Sequence, residues 1–235
     1  MTMAHSPMPQ RLTEVSTLEY PDHAHLPQGA RCFFWGEYTP YEHTDGKNWD
    51  YSTTNQLISN LKKKMDRREQ YDWRYKVAAI QQVSDAFARF WQWTTLQSQF
   101  RVCLIPVPPS KARTDAMYDP RMVHILHGIA RRTGVALDIR DCLSFSGRYA
   151  ASHSQQVRRP TPDELYQELA FDAQAGKPTA PPGVIFLFDD MLTTGAHYVA
   201  ANRRLGEHFP GVEIVGNFVA RRIFPSPFAD IEPNL

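Results

Sequence analysis

Residues 184–197 read Val-Ile-Phe-Leu-Phe-Asp-Asp-Met-Leu-Thr-Thr-Gly-Ala-His, and no other stretch limits the fold so tightly. The apolar run Val184 to Phe188 suits a central parallel strand covered on both faces. Asp189 and Asp190 then fall where such a strand emerges, at the carboxyl edge where open α/β sheets bind ligands. Thr193, Thr194 and Gly195 supply hydroxyls and open backbone N–H groups where a helix is expected to start, which makes an anion site. Carboxylates able to hold hydroxyls or a metal, beside a cradle for phosphate, describe a sugar-phosphate site.

The flanking sequence supports an α/β reading. Val102 to Val107 is a second apolar strand, ending in Pro108-Pro109-Ser110-Lys111. A helix with Met122, Ile125, Leu126 and Ile129 on one face follows, stopped near Gly134. Leu137 to Leu143 reads as a strand, and Glu213 to Ala220 as the last core strand. Thr161-Pro162-Asp163-Glu164 is a helix-capping sequence with Pro in the first turn. Strands alternating with helices over residues 102–220 imply a parallel sheet with crossover connections.

Ahead of this core, residues 1–29 carry scattered prolines and histidines with no periodicity, and are expected to form a flexible arm. Residues 30–100 hold an aromatic strand, Cys32 to Tyr38, and two amphipathic helices, one on Leu57, Ile58, Leu61 and Met65, the next on Val77, Ile80, Val83, Phe87 and Phe90. They are expected to flank or hood the core, residues 101–223, which contains an insertion at 144–171. Residues 224–235 form a tail. Aromatic surface near Trp35 and Tyr38 would suit a homodimer.

Charge and cysteine content exclude several classes. Among 235 residues the formal net charge is +1, so no global field points to nucleic acid, a membrane or an acidic partner. The basic cluster Lys62, Lys63, Lys64, Arg67 and Arg68 reads as a solvated helix face. Cys32, Cys103 and Cys142 are far apart and lack metal-ligand spacing, so neither a disulfide frame nor a structural zinc site is expected. A polar, Pro-bearing start and the lack of a membrane-length apolar run lead to an expected cytoplasmic location.

The order of residues in 184–197 closely resembles the signature of type I phosphoribosyltransferases that binds phosphoribosyl pyrophosphate (PRPP). The resemblance implies the type I phosphoribosyltransferase fold, a parallel sheet with a variable hood that selects the acceptor. It implies that Asp189 and Asp190 hold the ribose hydroxyls, directly or through Mg²⁺, and that Thr193, Thr194, Gly195 and Ala196 wrap the 5′-phosphate. The turn carrying Lys111 and Arg113 sits where the family binds pyrophosphate. Arg148, His153, Arg158 and Arg159 fall on the segment corresponding to its mobile loop.

By the order of Gly36-Glu37-Tyr38, Ile105-Pro106-Val107-Pro108 and Ser152-His153-Ser154-Gln155, the chain looks most like the ComF branch. The cysteine zinc motif common in that branch is missing. Thr193 also stands where 6-oxopurine enzymes carry an aspartate base, which disfavours a hypoxanthine or guanine acceptor. Phosphoribosyl transfer to a nitrogenous base is the expected activity. The alternatives are a non-catalytic PRPP or nucleotide sensor and an accessory protein in DNA handling or defence.

Overall fold

The computed structural model of the chain describes residues 6–147, 159–177 and 180–224. Its strands are β1 (Thr13–Glu14), β2 (Cys32–Tyr38), β3 (Val102–Pro106), β4 (Asp138–Ile139), β5 (Leu143–Phe145), β6 (Leu169–Phe171), β7 (Val184–Leu192) and β8 (Glu213–Arg222). The helices are α1 (Thr53–Leu61), α2 (Trp73–Phe90), α3 (Trp93–Phe100), α4 (Arg121–Thr133), α5 (Pro162–Glu168), α6 (Ala173–Gly176) and α7 (Ala196–His208). Six strands make one sheet in the order β1-β2-β8-β7-β3-β4, parallel throughout except for the short antiparallel edge strand β1. Strands β5 and β6 pair separately, antiparallel. None of the described helices is long and apolar enough to cross a membrane.

Strand alternation divides the core into two layers. Along β7, Phe186 and Phe188 face Leu57, Leu61, Val83, Phe87, Ile125 and Ile129 of α1, α2 and α4. Ile185 and Leu187 point the other way, toward Leu165 of α5 and Ala201 and Leu205 of α7. Burying each such side chain contributes about 1.5–3 kcal/mol, so the two-sided covering of β7 is a main source of stability. Local signals set the boundaries. Thr161 and Glu164 form the reciprocal capping box that opens α5, and Gly134, at φ 67°, closes α4.

Several expectations need correction. Residues 6–29 are not a loose arm, because Val15, His23 and Leu26 are buried and Val15 N–H donates to Cys32 O at 2.8 Å. Their anchors are single apolar residues at irregular spacing, which leave no periodic trace. Strand β2 is not a flanking element either, since it pairs in parallel with β8 inside the main sheet. Trp35 is buried, with its indole N–H donating to Pro9 O at 2.7 Å, so it offers no surface for a dimer. The strand expected over 137–143 is two short pieces, because the chain leaves the main sheet after Ile139 and pairs with β6 from Leu143. Arg148, His153, Arg158 and the tail beyond Phe224 lie outside the described residues.

Candidate functional site

Strand β7 does not stop before its acids. It runs from Val184 to Leu192, with Asp189 and Asp190 inside it. On one side the ladder with β8 continues through Asp189, Met191 and Leu192. On the other, the ladder with β3 ends at Pro106 opposite Phe188, and Val107 N–H donates to Phe188 O at 2.8 Å. The acids therefore stand just past the end of β3, where the turn 107–113 begins, at the carboxyl edge of a parallel sheet. A small pocket opens there, lined by Pro106 to Pro109, Tyr118 to Val123, Asp141, Asp189 and Asp190.

Because adjacent strand residues face opposite sides of a sheet, the two carboxylates enter different surroundings. Asp190 points toward α1 and α4. Its Oδ1 lies 3.0 Å from Lys62 Nζ, while Oδ2 accepts from Arg121 Nε at 2.8 Å and also from Arg121 Nη2. Arg121 in turn donates from Nη1 to Asp119 Oδ2 at 2.6 Å, and the same oxygen accepts from Lys76 Nζ at 2.7 Å. Lys76 is 1% exposed and donates further to Leu61 O at 2.6 Å and Lys63 O at 3.0 Å. Five charged side chains thus form a continuous network from the end of α1 to the centre of the sheet.

Asp189 points toward α7. Its Oδ1 accepts the backbone N–H of Asp190 at 2.7 Å, and its Oδ2 lies 3.9 Å from Nδ1 of His197. Burial, reinforced by the neighbouring Asp190 charge, pushes the Asp189 carboxyl up to about 7. Asp190 is buried too, and burial alone would raise it. Arg121 and Lys62 reverse that and hold it well below the usual carboxylate range. His197 keeps about a third of its side chain exposed (37%), yet its burial among protein atoms moves it down to about 4, so the ring is neutral at pH 7.

The loop Thr193–Gly195 leads directly into α7, and Gly195 at φ 86° makes the left-handed turn that starts the helix. The first N–H groups of α7 have no partner within the helix, which is the basis of an anion cradle. The N-terminal segment fixes this loop from behind. Thr194 O accepts from His25 N–H at 2.8 Å, and Thr193 O accepts from Nδ1 of His23. A carbonyl only accepts, so His23 carries its proton on Nδ1, and burial lowers its pKa from the usual 6.5. A side chain at Gly195 would meet Leu26 N at 2.9 Å.

The remaining candidates divide. Lys111 is half exposed, with its ammonium 3.6 Å from Asp115 Oδ2. Arg113 is committed elsewhere: it donates to Asp141 Oδ2 at 2.7 Å, Asp141 O at 2.8 Å and Leu143 O at 3.2 Å, tying the turn to the start of β5. These three bonds fix the guanidinium toward β5 and leave Nε as its one nitrogen with no hydrogen bond to them. Lys62, expected on a solvated face, reaches into the acid pair. The network residues Lys76, Asp119 and Arg121 and the clasp by His23 carry no sequence motif.

The acid pair and the start of the 107–113 turn thus line one pocket, Lys62 and Arg121 join them on Asp190, the Thr193–Ala196 turn follows directly on β7, and Lys111 and Arg113 are paired with Asp115 and Asp141. Comparison with known proteins adds no family to this geometry, as no family model and no curated protein matches the chain.

Proposed function

We propose that the chain binds a phosphorylated pentose, PRPP or a nucleotide, at the carboxyl edge of β7, and that with PRPP it transfers the phosphoribosyl group to a nitrogenous acceptor, releasing pyrophosphate. One observation carries this reading. Asp189, the left-handed Gly195 turn and the 107–113 turn converge where β3 has ended and β7 continues. Thr193, Thr194, Gly195 and Ala196 would take the 5′-phosphate at the start of α7. Asp189, whose Oδ2 faces the neutral His197 ring at 3.9 Å and no cation within ion-pair distance among the described residues, would take the ribose hydroxyls. Lys111 would steady the departing pyrophosphate as an acceptor nitrogen attacks the anomeric carbon, so the rate gain would come from positioning and charge neutralisation.

Mg²⁺ is implied only by the resemblance, with Asp189 and Asp190 as its candidate ligands. Both oxygens of Asp190 are held by cations, and among the described residues no group of three or more His, Cys, Asp or Glu gathers to hold a metal. With both Asp190 oxygens on cations, the pair as arranged does not fit a divalent ion.

Incubation with labelled PRPP and a panel of nucleobases, following pyrophosphate release, tests the transfer. Release that depends on one base supports it. The clamp on Asp190 favours a second reading, a non-catalytic sensor of the same ligand, which would show saturable binding and no release with any base. Unchanged PRPP binding in an Asp189→Asn/Thr194→Ala variant would remove both.

A further inference from the structure

We propose that Lys62 and Arg121 supply at this site the charge a divalent cation would otherwise bring, binding the anionic oxygens of the ligand directly and without a metal. The inference rests on the reading of the β7 edge as a phosphorylated-pentose site and names what neutralises the ligand there. A divalent ion would bridge a carboxylate to phosphate oxygens and deliver two positive charges. Lys62 and Arg121 deliver the same two charges to the same carboxylate, one on each oxygen of Asp190.

Each cation also keeps capacity toward the ligand side. The side chain of Lys62 is 40% exposed, and its ammonium has three donors, of which Asp190 Oδ1 takes one. Arg121 lines the small pocket beside the acids and is fixed in orientation by Asp119, itself held by Lys76. Of the other carboxylates lining that pocket, Asp119 is paired with Lys76 and Arg121 and Asp141 with Arg113, while burial pushes the Asp189 carboxyl up toward its neutral form. A metal entering at Asp190 would have to displace two cations or sit against them, and like charges at that range repel strongly. An anion meets neither obstacle, because it can join Lys62 and Arg121 while both remain on Asp190.

Calorimetric titration with inorganic pyrophosphate, in excess EDTA and in Mg²⁺, tests the assignment. The parent is expected to bind in EDTA. Lys62→Gln should weaken that binding at least tenfold, and Lys62→Arg should restore it to within about threefold, since either cation can meet an anion as a charged donor. Lys64→Gln, an equal charge change at an exposed neighbour, should leave it unchanged. Lys62 lies at the outer end of the network, so its replacement spares the buried Lys76–Asp119 pair. Binding that appears only with Mg²⁺, equal binding by parent and Lys62→Gln in EDTA, or no pyrophosphate binding in either buffer would each overturn the inference. A protein that binds pyrophosphate through Lys62 without metal but transfers nothing retains this inference and loses the transferase reading. One that transfers only with Mg²⁺ has the opposite outcome.

Discussion

Replacing Lys76 with Met probes whether the charged network is a structural necessity of the site. The ammonium is fully enclosed and makes three short bonds, to Leu61 O, Lys63 O and Asp119 Oδ2. Methionine retains most of the aliphatic stem, so little packing is lost. It cannot donate, so two carbonyls at the end of α1 and one carboxylate lose a partner. Breaking a buried ion pair from one side costs about 3–5 kcal/mol. Asp119 still accepts from Arg121 at 2.6 Å, which places the expected loss near the low end, about 3 kcal/mol. For a chain of this size each kcal/mol moves the midpoint by about 2–4 °C, so Tm should fall by roughly 6–12 °C. Thermal melts and urea midpoints of the parent, Lys76→Met, Asp119→Asn and the double variant give the coupling directly. A single-variant loss under about 1 kcal/mol, with additive effects in the double variant, would refute the view that this pair anchors α1 and α2 to the site.

Two further outcomes follow from the acid pair and the turn beside it. Asp189 has a folded-state pKa of about 7 against an ordinary 3.8, so between those values the folded protein keeps a proton that the unfolded chain releases. Its contribution therefore falls as pH rises through that window, and Asp189→Asn should gain stability relative to the parent from pH 4.5 to 7.5, by at most about 1.4 kcal/mol per pH unit. Denaturant titrations of both proteins at three pH values read the difference, and a flat or declining one contradicts the assignment. Gly195→Ala puts a side chain into the left-handed region and onto Leu26, so it should cost more than about 1–2 kcal/mol, whereas Gly206→Ala, whose added Cβ meets nothing within 4 Å, should be neutral or stabilising. Equal melting temperatures for these two alanine variants would show that the N-terminal segment yields freely.

Local patterns in the sequence predicted the framework well. The apolar runs of β3, β7 and β8, the helical face on Met122, Ile125, Leu126 and Ile129, and the capping box at Thr161 are each written within a dozen residues. The site's charge balance is not written that way. Arg121 meets Asp190 from 69 positions away, and Lys76 meets Asp119 across 43, so no spacing rule could pair them. Lys62 stood in a run of basic residues whose default reading is a wet helix face. It reaches the acids because α1 ends beside them, which only the packing of α1 on the sheet and on α2 decides. The burial of the N-terminal segment escapes the sequence for the reverse reason. A few isolated side chains, Met8, Val15 and Leu26, bury a stretch that lacks any helical or strand period.

Sequence alone also treats Asp189-Asp190 as one feature, two acids with one job, and strand geometry argues against that. Consecutive residues in β7 must face opposite layers, so the carboxylates cannot share an environment however similar they look. One enters the layer holding Lys62 and Arg121 and stays ionised far below neutrality. The other enters the layer of a neutral His197, where burial and its neighbour's charge carry it to about 7. Titratable neighbours driven apart in this way are suited to different roles. Asp190 organises Lys62 and Arg121, the two cations proposed to meet the ligand's anionic oxygens. Asp189, its carboxyl raised by burial and by the Asp190 charge, would suit the proposed diol-binding role, in which a carboxyl that can keep its proton donates to a hydroxyl as well as accepting from one. On the proposed reading the pair divides into an anion-binding half and a diol-binding half, joined by one peptide bond in a strand long enough to carry both beyond its neighbour's end.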